Sequence, residues 1–282
     1  MTATEQTGYF VCGTCNLYGT LHVPADSVHP PVLILPPFGE ERKCAYRQLV
    51  LIARKLATAG HPCFRFDLRG TGESTGDHAE VDLDDWLKDA ESALSMLRTT
   101  VDNRCWIAVG ARFGANIAAK LAASCSAIDL VLIEPLLSGR EYVEDLERRQ
   151  QIKDMMSQRA SGTNGNRNTS KTSTDRAHVE YGGYPVSEAL ASQMKEVTLI
   201  DDISGILNTC RVHLLHVSGA RHFSRKWDSA LELLHQAERD VKHKTHLLRE
   251  KPFWGQIEFF ESEVLPDAVF DTLHSETKNK DR

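Results

Sequence analysis

The sequence has no apolar run near the roughly 20 residues that a membrane-spanning helix requires. Its first 25 residues also lack the basic start and apolar stretch of a signal peptide. Neither a membrane span nor secretion is therefore expected. Nor is there a basic surplus: 39 acidic against 33 basic residues give a formal net charge of -6. That balance disfavours a nucleic-acid partner, because phosphate contacts need a basic surface. The seven cysteines are odd in number and sit mostly in apolar segments, so they form no disulfide framework and read as reduced thiols of a cytoplasmic protein. Internal repeats are also missing. What remains is 282 residues, 41% hydrophobic, enough for the core of one globular, enzyme-sized domain.

Strand and helix signals alternate along this chain. Residues 8–23 alternate in polarity and turn near Gly13, as two antiparallel strands would. The short apolar run Val32–Leu35 suits a buried parallel strand. Tyr46, Leu49, Val50, Ala53, Leu56 and Ala57 follow at helical spacing until Gly60 and Pro62. A strand at Cys63–Phe66 precedes a helix striped by Leu83, Trp86, Leu87, Ala90, Ala93, Leu94 and Leu97, with Asp82, Asp84 and Asp85 at its positive end. Further strands are expected at 105–109, 130–133, 212–217 and 244–248, and further helices at 117–122, 226–239 and 261–273. Right-handed crossovers make this an α/β fold, a mostly parallel sheet with helices on both faces. Between 141 and 207, helical signals at 141–156 and 186–207 flank a polar segment, 157–177, whose composition predicts disorder. We read 141–207 as a cap inserted into a core of 1–140 and 208–274, with 275–282 a disordered tail.

One residue is missing where chemistry would need it. Residues 104–116 have the outline of a G-x-S-x-G elbow, in which a strand ends in a strained turn that presents a nucleophilic serine. Gly110 and Gly114 keep the spacing, yet Arg112 stands at the serine position, followed by Phe113. A guanidinium stays protonated and has no lone pair to offer a carbonyl carbon. It can attract an anion but cannot attack an ester.

Other segments fit the same scaffold. Asp67-Leu68-Arg69-Gly70-Thr71-Gly72-Glu73-Ser74 resembles the D-x-R-G-x-G-x-S turn of α/β-hydrolases, and Pro36-Pro37-Phe38-Gly39-Glu40-Glu41 stands where that fold places its oxyanion loop. With the elbow and the cap, the resemblance to the α/β-hydrolase superfamily covers nearly the whole chain. More narrowly, Pro36–Glu41, the arginine elbow, Pro135-Leu136-Leu137-Ser138-Gly139-Arg140 and Pro252-Phe253-Trp254 are similar to the serine aminopeptidase-like, hydrolase-like proteins encoded with bacterial exosortase and exopolysaccharide systems. The resemblance implies an α/β-hydrolase fold with a helical cap and a role beside exopolysaccharide production.

The other members of a Ser-His-acid relay are missing too. The stretch between Ser218 and Trp227, where the fold would place an acid, holds no carboxylate. Residues 249–255, where it would place a histidine, hold none. His222 is the one weak candidate for a general base, while Ser74 and Ser138 read as turn or helix caps more simply than as displaced nucleophiles. Arg112 would stand at a helix N-terminus beside former oxyanion donors, a corner suited to a carboxylate or phosphate. Equally, Glu40, Glu41 or Glu134 could neutralise it in an internal ion pair.

Weaker motifs carry nothing further. Gly70, Gly72 and Gly76 have the wrong spacing for a dinucleotide site, Cys12-x-x-Cys15 lacks a second ligand pair, and Asn168-Thr169-Ser170 is a sequon by pattern only. No cofactor or metal is expected. The leading expectation is a non-hydrolytic protein that binds a small or acyl, anionic ligand, or a protein partner, in a cleft formed by Arg112, Phe113, Phe38, Gly39, Glu40, Glu41 and Glu134. The alternatives are a carboxylesterase or thioesterase with relocated catalytic groups, and a purely structural interaction protein.

Overall fold

The computed structural model describes residues 3–160, 178–206, 209–237, 243–256 and 260–275. Its eight-stranded sheet comprises β1 (Thr4–Cys12), β2 (Cys15–Val23), β3 (Val32–Leu35), β4 (Cys63–Phe66), β5 (Ile107–Ala111), β6 (Asp129–Ile133), β9 (Arg211–Ser218) and β10 (His243–Arg249). The spatial order is β1-β2-β4-β3-β5-β6-β9-β10. β1 and β2 run antiparallel to each other, β2 runs antiparallel to β4, and every pair from β4 to β10 is parallel. This is the expected α/β-hydrolase fold.

Strict alternation in the strands divides the core. Val32 and Ile34 of β3 and Val131 and Ile133 of β6 face one helical layer, α1 (Gly39–Thr58) and α8 (Val264–His274). Leu33, Leu35, Leu130 and Leu132 face the other, which holds α2 (Leu83–Val101), α3 (Phe113–Cys125) and α7 (Arg225–Ala237). A fully apolar tetrapeptide such as Val32–Leu35 is therefore buried on both sides. Chain order reverses at β3, which has β4 on one side and β5 on the other. At such a switch point the loops leaving the carboxyl ends of the strands part and open a crevice, which here places the site between the loops after β3, β5 and β6.

Between β6 and β9 the chain inserts α4 (Gly139–Ala160), the hairpin β7 (His178–Tyr181) and β8 (Tyr184–Ser187), then α5 (Glu188–Glu196) and α6 (Leu199–Ser204). The hairpin turns at Gly182 and Gly183, both at positive φ. Of the segment expected to be disordered, 157–160 continue α4, and 161–177 lie outside the described residues. So does the tail beyond Ser275, as does the expected continuation of α7 beyond Ala237.

Two boundaries differ from expectation near the site. The helix expected from Tyr46 starts at Gly39, so Glu40 and Glu41 lie in the first turn of α1 and not in a loop. Its opening run of charged residues conceals the apolar period, while carboxylates at a helix N-terminus favour it electrostatically. β5 runs to Ala111, past the expected Val109, because Gly110 and Ala111 still pair with Leu132 and Ile133 of β6. None of the seven cysteines is disulfide-bonded. Cys12 is buried and accepts hydrogen bonds from Arg69 and Ser92, which makes it a packing residue.

One buried histidine gives the fold a pH dependence. His22 in β2 is 1% exposed, and its Nε2 lies 3.0 Å from Nε of Arg65, which donates to it. Burial, then the Arg65 charge, push its pKa down to about 4. The unfolded chain takes up this proton near pH 6.5, before the folded one does. The stability contributed by a neutral His22 is thus complete above about pH 6.5 and is lost as pH falls toward 4. We expect the urea midpoint to drop through that window by the equivalent of up to about 3 kcal/mol from this residue. His22→Gln should make the profile shallower without abolishing it, since burial also lowers the pKa of His61 to about 4, and parallel profiles for the two proteins would refute the assignment.

Candidate active-site cleft

The elbow survives without its nucleophile. Arg112, between β5 and α3, has φ 53° and ψ -126°, and its N–H donates to the Ile133 carbonyl at 2.9 Å. A side chain in that conformation costs on the order of 1–3 kcal/mol. The turn is imposed by close packing. A Cβ at position 110 would lie 2.5 Å from the Gly114 oxygen, and one at 114 would lie 2.1 Å from the Pro36 oxygen. Only glycine allows β5, α3 and the loop after β3 to approach so closely.

From this tip the Arg112 side chain enters an ion pair. Its Nε and one terminal nitrogen lie 3.1 and 3.0 Å from Oε1 of Glu41. The other terminal nitrogen donates to the Glu134 carbonyl at 3.3 Å and stands 4.0 Å from that residue's carboxylate. Glu41 is buried, and its second oxygen accepts from the Tyr142 hydroxyl of α4 at 3.0 Å. The rings of Tyr142 and Trp254 lie 5.5 and 5.8 Å from the guanidinium carbon. Burial opposes the charge on Arg112, but Glu41, then Tyr142 and Glu134, outweigh it and hold its pKa above the usual value. Burial and the Glu41 charge push the Tyr142 hydroxyl well above its usual range, so it remains a donor.

The remaining residues proposed for the cleft separate into two groups. Phe113 and Phe38 are buried 6.4 Å apart edge to face, with Phe38 also packed on Trp86 and His78. Gly39, at φ 57°, lies under Tyr184 of the inserted hairpin, and the exposed Glu40 packs against Gly182. The hairpin is fastened there by the His78 ring, whose Nδ1 meets the Pro185 carbonyl at 2.6 Å. Phe38, Gly39 and Glu40 thus support the site from behind and beneath the hairpin. The open cleft, of about 510 Å³, is lined on its inner wall by Arg112, Glu134, Pro135, Leu136, His216 and Trp227.

His222 is exposed in the loop after β9 and does not line the cleft. The histidine that does is His216, inside β9. Its Nδ1 meets Oε1 of Glu134, which also accepts from the Val217 N–H at 2.6 Å. Its ring packs against both Phe223 and Trp227, with centroids 5.7 and 4.7 Å away. Glu134, at φ 48°, therefore orients His216 with its carboxylate and Arg112 with its carbonyl. Sequence reading overlooked His216 because a histidine in an apolar strand reads as core; the strand's alternation was the available signal. Ser74 donates to the Asp67 carbonyl and accepts from the Tyr18 N–H, and Ser138 accepts from the Glu141 N–H. Both hydroxyls fasten backbone.

Removing one member of the ion pair leaves the other buried and unpaired. We expect Glu41→Ala to destabilise the fold by about 3–5 kcal/mol. The double variant Glu41→Leu with Arg112→Met should recover most of that loss in urea denaturation. Additive losses from the two sites would show that the pair is not coupled.

A family model described as serine aminopeptidase, S33, matches residues 38–193, more than half of the chain. No curated protein sequence matches it. Among solved structures, Est1E from Butyrivibrio proteoclasticus with bound ferulic acid aligns at a TM-score of 0.63 and 16% identity, covering 96% of this chain and 99% of that one. A hypothetical protein from Pseudomonas aeruginosa aligns at 0.66 and 14% identity over 98% and 94% of the two chains. Mouse alpha/beta hydrolase domain-containing protein 10 aligns at 0.59 and 16%, over 97% and 99%. At these identities the likeness is one of fold. Together with the sheet order and the glycine-bounded elbow, the family match shows that the chain belongs to the serine aminopeptidase S33 family of α/β-hydrolases.

Proposed function

We propose that this protein binds a small anionic or acyl ligand in the cleft beside Arg112 and does not form an acyl-enzyme. The observation that carries the reading is the guanidinium at the tip of an otherwise intact elbow. Attack on a carbonyl needs a lone pair there, and none is offered. Recognition of a carboxylate or phosphate needs only the donors, and Arg112 lines the cleft. A ligand acid would compete with Glu134 for the terminal nitrogen that stands 4.0 Å from its carboxylate. An apolar acyl or aromatic portion would lie on Leu136, Leu137 and Trp227. The other cleft cations, Lys226 and Arg148, are exposed and pair with Glu141 and Asp145 at its rim, while Arg112 is the cation at its inner end. The ferulic acid held by the Est1E structure, an aromatic carboxylate, supports probes of that size and charge. A role beside bacterial exopolysaccharide production rests on the motif resemblance. An open cleft supports a small ligand over a purely structural role.

A second reading has its own observation. The Glu134–His216 pair faces the cleft and could act as a general base on water, giving direct hydrolysis of a thioester or activated ester without a seryl intermediate.

The two readings separate in one set of measurements. Wild type, Arg112→Ser and His216→Ala are assayed on short-chain nitrophenyl esters and thioesters, and thermal shift is read against carboxylates and acyl phosphates. We expect no turnover by wild type, and a rise in melting temperature that Arg112→Ala abolishes relative to its own baseline. At 100 times Kd that rise corresponds to about 2.7 kcal/mol. Turnover lost in His216→Ala would replace the binding reading with the second one. No stabilisation by any anion would remove the ligand site at Arg112.

A further inference from the structure

At the opposite ends of the strands the fold gathers three histidines that are far apart in the chain. His29 precedes β3, His61 precedes β4, and His274 ends α8. Their candidate ligand atoms all lie within 4.8 Å of one another. The His29 and His61 rings stack at 4.7 Å between centroids, and the His274 ring stands nearly perpendicular to both at 5.2 Å. Main chain builds this meeting point. The N–H groups of Val28 and His29 both lie 3.2 Å from the Gly60 oxygen, which fastens the loop before β3 to the turn before β4. Gly60, at φ 100°, allows that turn.

Two of the three rings are anchored as metal-bound histidines are. Nδ1 of His61 lies 2.7 Å from the Pro30 carbonyl, and Nδ1 of His274 lies 2.8 Å from that of Phe270. A ring that donates Nδ1–H to a carbonyl carries its lone pair on Nε2, and this is the usual support for a metal-bound histidine. His61 is 3% exposed, and its Nε2 is buried without a hydrogen-bond partner. Leaving such an atom unmet costs about 1–3 kcal/mol, so it calls for a partner.

We propose that His29, His61 and His274 form a binding site for a divalent transition ion such as Zn²⁺. Three imidazole nitrogens suit a borderline ion over Mg²⁺ or Ca²⁺, which favour oxygen. Tetrahedral bonds of about 2.0–2.1 Å put ligand atoms roughly 3.4 Å apart. The rings must therefore draw together, and the stacked His29 and His61 planes must turn so that both lone pairs converge, leaving a fourth position for water. The ion would tie α8 to the two loops beneath the sheet, remote from the cleft. No spacing motif announces such a site, because its ligands come from three separated segments.

The test uses the full chain, stripped with chelator and titrated with Zn²⁺ by calorimetry, with Co²⁺ absorption reporting coordination geometry. We expect one Zn²⁺ per chain, an intense tetrahedral Co²⁺ spectrum and a rise in melting temperature on adding Zn²⁺. Each of His29→Gln, His61→Gln and His274→Gln should weaken binding by more than the roughly 10–100-fold that loss of a supporting hydrogen bond costs. His29 is partly exposed, so His29→Gln serves if the buried His61→Gln fails to fold by circular dichroism. Absence of Zn²⁺ binding at millimolar concentration, or binding unchanged in His29→Gln and His274→Gln, overturns the proposal and leaves a packed aromatic cluster.

Discussion

The ion pair between Arg112 and Glu41 is the interaction on which the site depends. It joins the elbow after β5 to the first turn of α1, and through Tyr142 it reaches α4 of the insertion. Three segments are joined through one charge. A buried pair of this kind gains little net stability, because desolvation offsets most of its attraction. Its consequence is geometric. While the guanidinium is bound to Glu41, the position that an enzyme would use for attack holds a fixed positive charge beside an open cleft.

Glu134 extends that arrangement. It stands at the end of β6 with a positive φ, which directs its carbonyl toward Arg112 and its carboxylate toward His216 and the Val217 N–H. A second buried network holds the adjoining wall. Asn116 of α3 accepts from the Leu136 N–H and donates to the Leu136 carbonyl and to Asp202, and Asp202 in turn pairs with Lys120. The Leu136 backbone is thus satisfied by the Asn116 side chain, which Asp202 of α6 holds in place, so apolar Leu136 can line a polar site without an unmet amide beside it.

Most of the fold was legible because strands and helices differ in period, and their apolar residues follow those periods faithfully from Val32 to Ile133. The start of α1 was not legible, since Glu40 to Lys43 carry no apolar signal, and that one boundary governs the site. Within a helix, Glu40 and Glu41 point about 100° apart. One turns outward beneath the hairpin and the other inward to Arg112. Read as a loop, the two are interchangeable. His216 is hidden for a related reason, since a relay histidine and its acid are expected in loops, whereas His216 lies within β9 and Glu134 directly after β6. In the loop after β10, where the relay would place a histidine, the Trp254 ring meets the guanidinium.

An elbow that no longer presents a nucleophile could be expected to relax, yet Arg112 keeps the strained backbone. The packing explains why. Ala108 and Gly110 on one face of β5 meet Gly114, Ala115, Ala118 and Ala119 of α3, and the Gly114 Cα faces the Pro36 carbonyl of the neighbouring loop. A gentler turn would separate strand from helix and open the core beneath, at a cost in lost burial greater than the about 1–3 kcal/mol of strain. The tip residue is therefore held in place whatever its side chain. A guanidinium at the tip sets the electrostatics of the cleft, while the close packing of Gly110 and Gly114 holds the turn itself.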